Sequence, residues 1–188
     1  MKILPDEIVT YTGKIIKPLS PDPEKIDIVD IAHSLSNQCR FTGHTREFYS
    51  TAQHSVLVSE ITDYDDALWG LLHDASEAYL SDIARPIKNT GSFGDIYRKA
   101  EAKLEIAVAL RFGLIEPLEG PISSVGMPPT VKWADDVLLR SEMRDLMPEV
   151  IRTDGWYSSG EFLDTEIDPW EPGVSEQMFL LRFYDLRR

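Results

Sequence analysis

The sequence predicts an all-α domain with a small N-terminal β-hairpin. Three observations carry this. Most of the chain divides into segments whose apolar residues recur at intervals of three and four, the period of a helix with one buried face. Those segments are punctuated as helices are, with Asp or Thr before them and Gly or Pro after them. Only Ile8 to Ile16 alternates as strands do, loosely, around the turn signal Thr12-Gly13-Lys14.

Pro18-Leu19-Ser20-Pro21-Asp22-Pro23 is a loop, because each proline removes an N–H donor and fixes φ. Asp27 or Asp30 caps a short helix carrying Ile28, Ile31, Ala32 and Leu35. Asn37 to Thr45 is polar, is broken by Gly43 and reads as a loop. Thr51 to Ile61 is helical. Asp65 or Asp66 caps the next helix, which runs through Ala67, Leu68, Leu71, Leu72, Ala75 and Ala78 to about Leu80, with Pro86 beyond it. Phe93 to Phe112 places Ile96, Ala100, Leu104, Ala107, Val108 and Leu110 at helical spacing and is closed by Gly113. A Gly/Pro-rich connection from Gly113 to Pro129 leads to a helix capped by Thr130, through Val131, Ala134, Val137, Leu138 and Leu146. The last helix runs from Val174 to about Leu186. Its Phe179, Leu180 and Phe183 share a face that closes the core or meets a second subunit.

At 188 residues and 43% hydrophobic, the chain suits one domain, 1–188, with a real core. No run approaches the ~18 apolar residues of a spanning helix, so no membrane partner is expected. Met1-Lys2-Ile3-Leu4-Pro5-Asp6-Glu7 has no apolar stretch typical of a signal peptide. The single cysteine, Cys39, has no partner for an internal disulfide and no paired base for a nucleophilic role, and it suits a reducing, cytoplasmic setting. A net charge of −13 argues against a polynucleotide partner. It leaves room for a small nucleotide, because a metal and a few arginines reverse the field locally. Eight acidic residues and one basic residue, Arg152, lie between Glu149 and Glu176, a stretch that reads as solvated surface.

Chemistry enters at His73-Asp74, a polar pair set in the apolar run Ala67-Leu68-Trp69-Gly70-Leu71-Leu72-His73-Asp74-Ala75. His54 lies upstream and Asp135 downstream, each on another amphipathic helix. Two imidazoles and two carboxylates form a mixed nitrogen and oxygen set suited to one divalent metal, and helical bundles hold metals between facing helices in this way. Adjacent residues project about 100° apart on a helix, so His73 and Asp74 reach one ion only at a helix edge. The alternative is a pair of core histidines satisfied by carboxylates.

Several segments extend the pattern: Arg40-Phe41-Thr42-Gly43-His44-Thr45, Phe48-Tyr49-Ser50-Thr51-Ala52-Gln53-His54-Ser55, Leu71-Leu72-His73-Asp74-Ala75-Ser76-Glu77-Ala78-Tyr79-Leu80-Ser81-Asp82, Ala134-Asp135, and Ser141-Glu142-Met143-Arg144-Asp145-Leu146. Together they resemble the HD-domain metal-dependent phosphohydrolases, in particular the 5′-deoxynucleotidase branch with its phage-encoded dNTP and dATP triphosphohydrolase-like members. The resemblance implies an HD-type helical bundle with one divalent ion held by His54, His73, Asp74 and Asp135. Asp136 is the adjacent alternative, which the family's Ala-Asp pattern disfavours. Mn²⁺, Co²⁺, Fe²⁺, Mg²⁺ and Zn²⁺ are not distinguished. His33 and His44, the remaining histidines, give little support for a second metal.

Glu77 follows His73 by four residues and Asp74 by three, so on a helix it shares their face and can touch a metal-activated water. The resemblance gives Glu77 and Asp82 parts in catalysis and substrate contact. It makes Arg40 a bidentate phosphate ligand, sets Phe41 against sugar or base, and makes His44 a phosphate contact or proton donor. Arg46, Arg85 and Lys88 are further cationic candidates for the phosphates. Glu142, seven residues after Asp135, shares its face and is placed to orient a ligand or an arginine, outside the catalytic set, while Arg144 and Asp145 read as a helical charge cluster. Trp69 and Trp133 read as core. The implied reaction is water attack on the α-phosphorus of a small deoxynucleotide. It releases nucleoside with phosphate from a monophosphate, or with tripolyphosphate from a triphosphate, in an enzyme that self-associates as a dimer or higher oligomer. Two rivals are hydrolysis of a cyclic or regulatory nucleotide and a non-catalytic binding module with a structural metal.

Overall fold

The hairpin lies where the alternation puts it. In the computed structural model, which describes residues 4–116, 124–148 and 160–188, β1 (Ile8–Val9) pairs antiparallel with β2 (Ile15–Ile16), Ile8 opposite Ile16. The turn needs Gly13, whose φ is +83°. The hairpin is pinned to the first helix by Asp30, whose carboxylate accepts from the Thr12 amide and hydroxyl at 2.7 and 3.0 Å. That leaves Asp27 as the cap of α1 (Ile28–Ser36), accepting from the Val29 amide at 2.9 Å.

Helix α2 (Thr51–Ile61) matches its expected bounds and is capped by Ser50. It is the central element. It packs on α1, on α3 (Ala67–Leu72), on α7 (Pro129–Leu146) and on α8 (Pro172–Leu186). Almost every side chain it carries is therefore buried, His54 included. One core joins α1, α2, α3, α8 and α6 (Gly91–Phe112) around Ile31, Leu35, Val56, Leu71, Leu104, Phe179 and Phe183. A second, smaller core lies between α2 and α7, around Tyr49, Val58, Val131, Ala134, Leu138 and Ile167. Phe179 and Phe183 thus close the core, and full burial of such a ring is worth about 1.5–3 kcal/mol.

Four expectations need correction. The single helix expected from Ala67 to about Leu80 is two: α3 ends at Leu72, and α4 (Glu77–Leu80) begins after a tight turn over His73–Ser76. Glu77 N–H donates to the Asp74 carbonyl and Tyr79 N–H to that of Ser76, three-residue bonds that wind the chain more tightly than an α-helix. Thr130 does not cap α7. Pro129 opens the helix instead, a position where the missing N–H costs nothing, and the Thr130 hydroxyl donates to Asp66. Trp133 is not core. It is 46% exposed and its indole N–H donates to Glu161, whereas Trp69 is half-buried against the smaller core. Arg144 and Asp145 form more than a surface charge pair: Arg144 donates to the carbonyls of Leu163 and Thr165, and Asp145 accepts from the Ile167 amide, fixing the segment after Gly160 against α7.

Of the acidic stretch, Glu149 and Asp154 lie outside the described residues. Glu161, Asp164, Glu166, Asp168 and Glu171 are exposed, and Glu176 is half-buried against His33. Helices α6 and α8 each begin two residues before their expected starts, and Gly113, at φ +70°, closes α6. Among the described residues no helix is long and apolar enough to cross a membrane.

Candidate metal centre

His54 comes from the middle of α2, His73 and Asp74 from the turn after α3, and Asp135 from the second turn of α7. The fold brings all four together. His54 Nε2 lies 3.2 Å from His73 Nε2, 3.2 Å from Asp135 Oδ1 and 3.7 Å from Asp74 Oδ2, and His73 Nε2 is 3.2 Å from Asp74 Oδ2. Asp136 stays out of this cluster. The tight turn explains how neighbours His73 and Asp74 both face the same point: it carries them off the α3 axis, at the helix edge.

The tautomers are dictated by the outer partners. His73 Nδ1 is 2.7 Å from the Gly70 carbonyl, which can only accept, so Nδ1 carries the proton. His54 Nδ1 is 2.5 Å from Glu142 Oε1. Glu142 is fully buried. Burial opposes its charge, but Arg40 and His54 outweigh burial and hold its carboxyl below the usual range. It is therefore an acceptor, and His54 Nδ1 also donates. Both Nε2 lone pairs then point at one another across 3.2 Å, an arrangement that repels unless a cation lies between them. In the metal-free protein a proton serves. Burial and Arg40 disfavour it, yet Glu142 and Asp135 push the His54 pKa up to about 9. Asp135 is held at about 2 by His54 and His73 against its own burial, and Asp74 is held low by His73, His54 and Arg40 in the same way.

These separations suit a metal. Ligands bound at about 2.0–2.2 Å and 90–109° apart lie roughly 3.0–3.5 Å from one another, a range that includes the three 3.2 Å separations, with Asp74 Oδ2 a little farther from His54 at 3.7 Å. Second partners that fix each imidazole are also what metal-ligating histidines require. His54, His73 and Asp135 would hold the ion, with Asp74 Oδ2 beside them.

Asp74 and Asp135 line an open cleft of about 530 Å³, and the buried imidazoles of His54 and His73 lie behind them. Of the residues expected to act on substrate, Arg40, Phe41, His44, Glu77, Asp82, Arg85 and Lys88 reach the cleft, and Arg46 does not, its guanidinium donating to the Asp145 carbonyl. Their environments differ. Glu77 is 5% exposed, and its Oε2 has no hydrogen-bond partner among the described residues. Burial, then the charges of Asp74 and Asp82, push its pKa well up. Because the turn is wound in threes, Glu77 eclipses Asp74. Asp82 is exposed at the rim.

Arg40, expected to contact phosphate, already has carboxylate partners. Its Nε and Nη2 reach Glu142 Oε2 at 3.2 Å and its Nη1 reaches Asp74 Oδ2 at 3.3 Å, so carboxylates already hold the guanidinium. It also lies 5.7 Å from the centre of the Phe41 ring. Phe41 and Thr42 both adopt left-handed backbone, φ 53° and 55°, a costly conformation for side chains of this kind, which sets Phe41 on the cleft wall. Lys88 pairs with Glu101 at 2.7 Å, while His44 and Arg85 are exposed to the cleft. His33 lies outside the site, stacked on Tyr11 at 3.7 Å. The apolar wall of Leu139, Met143 and Met147 was not anticipated. Its signal is the four-residue spacing Asp135, Leu139, Met143, one stripe of α7.

An all-α chain with a histidine–carboxylate cluster beneath an open cleft is the class that fold and site define. Among curated proteins, the uncharacterized protein YfdR of Escherichia coli K12 is 38% identical over 184 residues, covering 95% of this chain and 94% of YfdR. The uncharacterized protein RCAP_rcc00048 of Rhodobacter capsulatus is 36% identical over 144 residues, 72% of this chain and 70% of that protein. The chain belongs to the family of YfdR. No family model matches it.

Proposed function

We propose that this protein is an HD-type, metal-dependent phosphohydrolase of small deoxynucleotides, acting in the cytoplasm and self-associating as a dimer or higher oligomer. The observation that carries the reading is the pair of Nε2 atoms converging at 3.2 Å, with both Nδ1 atoms committed as donors, beside the carboxylates of Asp74 and Asp135 that line a nucleotide-sized cleft. A divalent ion held there supplies a Lewis acid for phosphoryl oxygens and lowers the pKa of water toward neutrality.

The chain's own residues supply the rest. Glu77, which lines the cleft and whose Oε2 has no hydrogen-bond partner among the described residues, takes the proton of the attacking water and relays it to the nucleoside 5′ oxygen. A bond forms between water oxygen and the α-phosphorus while the bond from phosphorus to the 5′ oxygen breaks. Arg85, Lys88 and His44 face the phosphates, Arg40 holds the ligand carboxylates in place, and Asp82 bonds substrate at the rim. Phe41, Leu139, Met143 and Met147 form the apolar surface for sugar and base.

The test is metal-stripped protein re-supplied with Mn²⁺, Co²⁺ or Mg²⁺ and given deoxynucleoside mono- and triphosphates, with products separated by chromatography. Nucleoside with phosphate, or nucleoside with intact tripolyphosphate, is the expected outcome, and the product pair names the substrate. No product with any metal overturns the reading and turns attention to cyclic and regulatory nucleotides. Light scattering on the same sample checks self-association, and a monomer refutes that part.

A further inference from the structure

Glu142 is a fully buried carboxylate on α7, and both of its oxygens are committed. Oε1 accepts from His54 Nδ1 at 2.5 Å, and Oε2 takes Nε and Nη2 of Arg40 at 3.2 Å. Tyr49, also fully buried, stands beside the same carboxylate. Arg40 passes on to Asp74 through Nη1 at 3.3 Å. A continuous path therefore leaves the cluster at His54, runs through Glu142 and Arg40, and re-enters it at Asp74. A carboxylate needed only to neutralise Arg40 would present both oxygens to the guanidinium, the bidentate fork that arginine favours. Here the oxygens are divided, one for the arginine and one for the imidazole.

Resting on the metal reading above, we propose that Glu142 is the positioning residue of the centre. It fixes His54 as the Nδ1-protonated tautomer whose Nε2 faces the ion, and it holds Arg40 against Asp74, so that two ligands from different helices are set by one side chain. A glutamine cannot do this. It has one acceptor and one donor, so either His54 Nδ1–H or the Arg40 N–H groups would meet an N–H instead of an oxygen. Outer partners of metal-ligating histidines typically govern affinity by about 10- to 100-fold.

The experiment pairs Co²⁺ binding with imidazole ¹⁵N NMR on the full chain, using His33→Gln and His44→Gln to assign the ring signals. Wild-type protein should show His54 protonated at Nδ1, with that proton far downfield because its hydrogen bond is short and charged. Glu142→Gln should lose that signal and bind Co²⁺ about 10- to 100-fold more weakly, with its circular dichroism unchanged. A wild-type His54 with no proton at Nδ1, or a Glu142→Gln protein binding Co²⁺ within two-fold of wild type, overturns the proposal. If wild type binds no Co²⁺, the metal reading fails, and the wild-type His54 tautomer still decides the role of Glu142. That same spectrum decides it if the variant does not fold.

Discussion

Replacing Glu77 with glutamine should make the protein more stable and inactive together. The side chain is 5% exposed, and Oε2 has no partner among the described residues. A buried acceptor left without a partner costs about 1–3 kcal/mol. Its pKa is pushed up by burial, then by Asp74 and Asp82, so the folded state resists its ionisation. Glutamine keeps the shape, removes the charge and offers an amide N–H toward those carboxylates. A gain of about 2 kcal/mol, at about 3 °C per kcal/mol for a domain of this size, is a rise in Tm of about 6 °C.

The sign depends on pH in a definite way. An acid whose folded pKa lies above its unfolded value of 4.5 favours the fold at low pH and loses that contribution as pH rises. The advantage of glutamine should therefore vanish below about pH 4.5 and grow toward neutrality. Urea unfolding of both proteins in chelator, at several pH values, measures it without metal linkage. Turnover should fall about 10²- to 10⁴-fold, as expected for loss of a general base. A Glu77→Gln protein less stable than wild type at pH 7.5, or one retaining a tenth of its turnover, would sink the argument that this carboxylate is held strained for proton transfer.

Other consequences are open to direct measurement. Because a folded-state ligand stabilises by mass action, Mn²⁺ or Co²⁺ at 100 times its Kd should add about 2.7 kcal/mol, and His54→Ala or Asp135→Ala should abolish the effect; a melting temperature indifferent to every divalent ion would refute the centre. Glu105, beside a small cavity behind His73, has its pKa raised from 4.5 to about 6 by burial and then by Glu101. Its contribution is thus present below pH 4.5 and lost as pH rises through 6. Glu105→Gln should gain about 1 kcal/mol on wild type between pH 4 and pH 7, with partial solvation trimming the larger figure that the shift alone implies, and a gap flat with pH in urea titrations would contradict it. A methyl group at Gly94 would sit 2.3 Å from the Lys88 carbonyl oxygen, a backbone atom of the short helix α5 (Arg85–Lys88). Gly94→Ala should therefore displace that wall of the cleft, costing about 1–3 kcal/mol by overpacking and raising KM more than it lowers kcat, whereas unchanged KM would show that α5 does not hold substrate.

The helices were legible because their signals are local. The apolar spacing within α6, the glycine after it and the stripe of Phe179, Leu180 and Phe183 on α8 each act within a few residues, so the sequence carries them without knowledge of the fold. The break after Leu72 was not legible for a related reason. Ala75 and Ala78 keep the apolar period running through it, and nothing in Ala75-Ser76-Glu77 forbids a helix. The turn is fixed from outside, by Gln38 donating to the Glu77 carbonyl and Ser34 to that of Ala78. Thr130 and Trp133 were misread in the same sense. Both sit where a local rule gives a default, and a distant acid, Asp66 or Glu161, offers the better bond.

The candidate site divides along the same line. Residue types and spacing were enough to list His54, His73, Asp74, Asp135 and Glu77, because ligand chemistry restricts which side chains qualify. They could place Glu142 only as orienting a ligand or an arginine, without saying which, and could not assign Arg40, since a charged side chain has no fixed role until its partner is known. Arg40 meets Glu142 across 102 residues of sequence, and His54 meets it across 88. A guanidinium near a phosphate site reads as a phosphate ligand by default. Here the buried Glu142 and the half-buried Asp74 already pair with it. On the proposed reading the phosphate then meets Arg85 and His44, both exposed to the cleft, and Lys88 if it leaves Glu101.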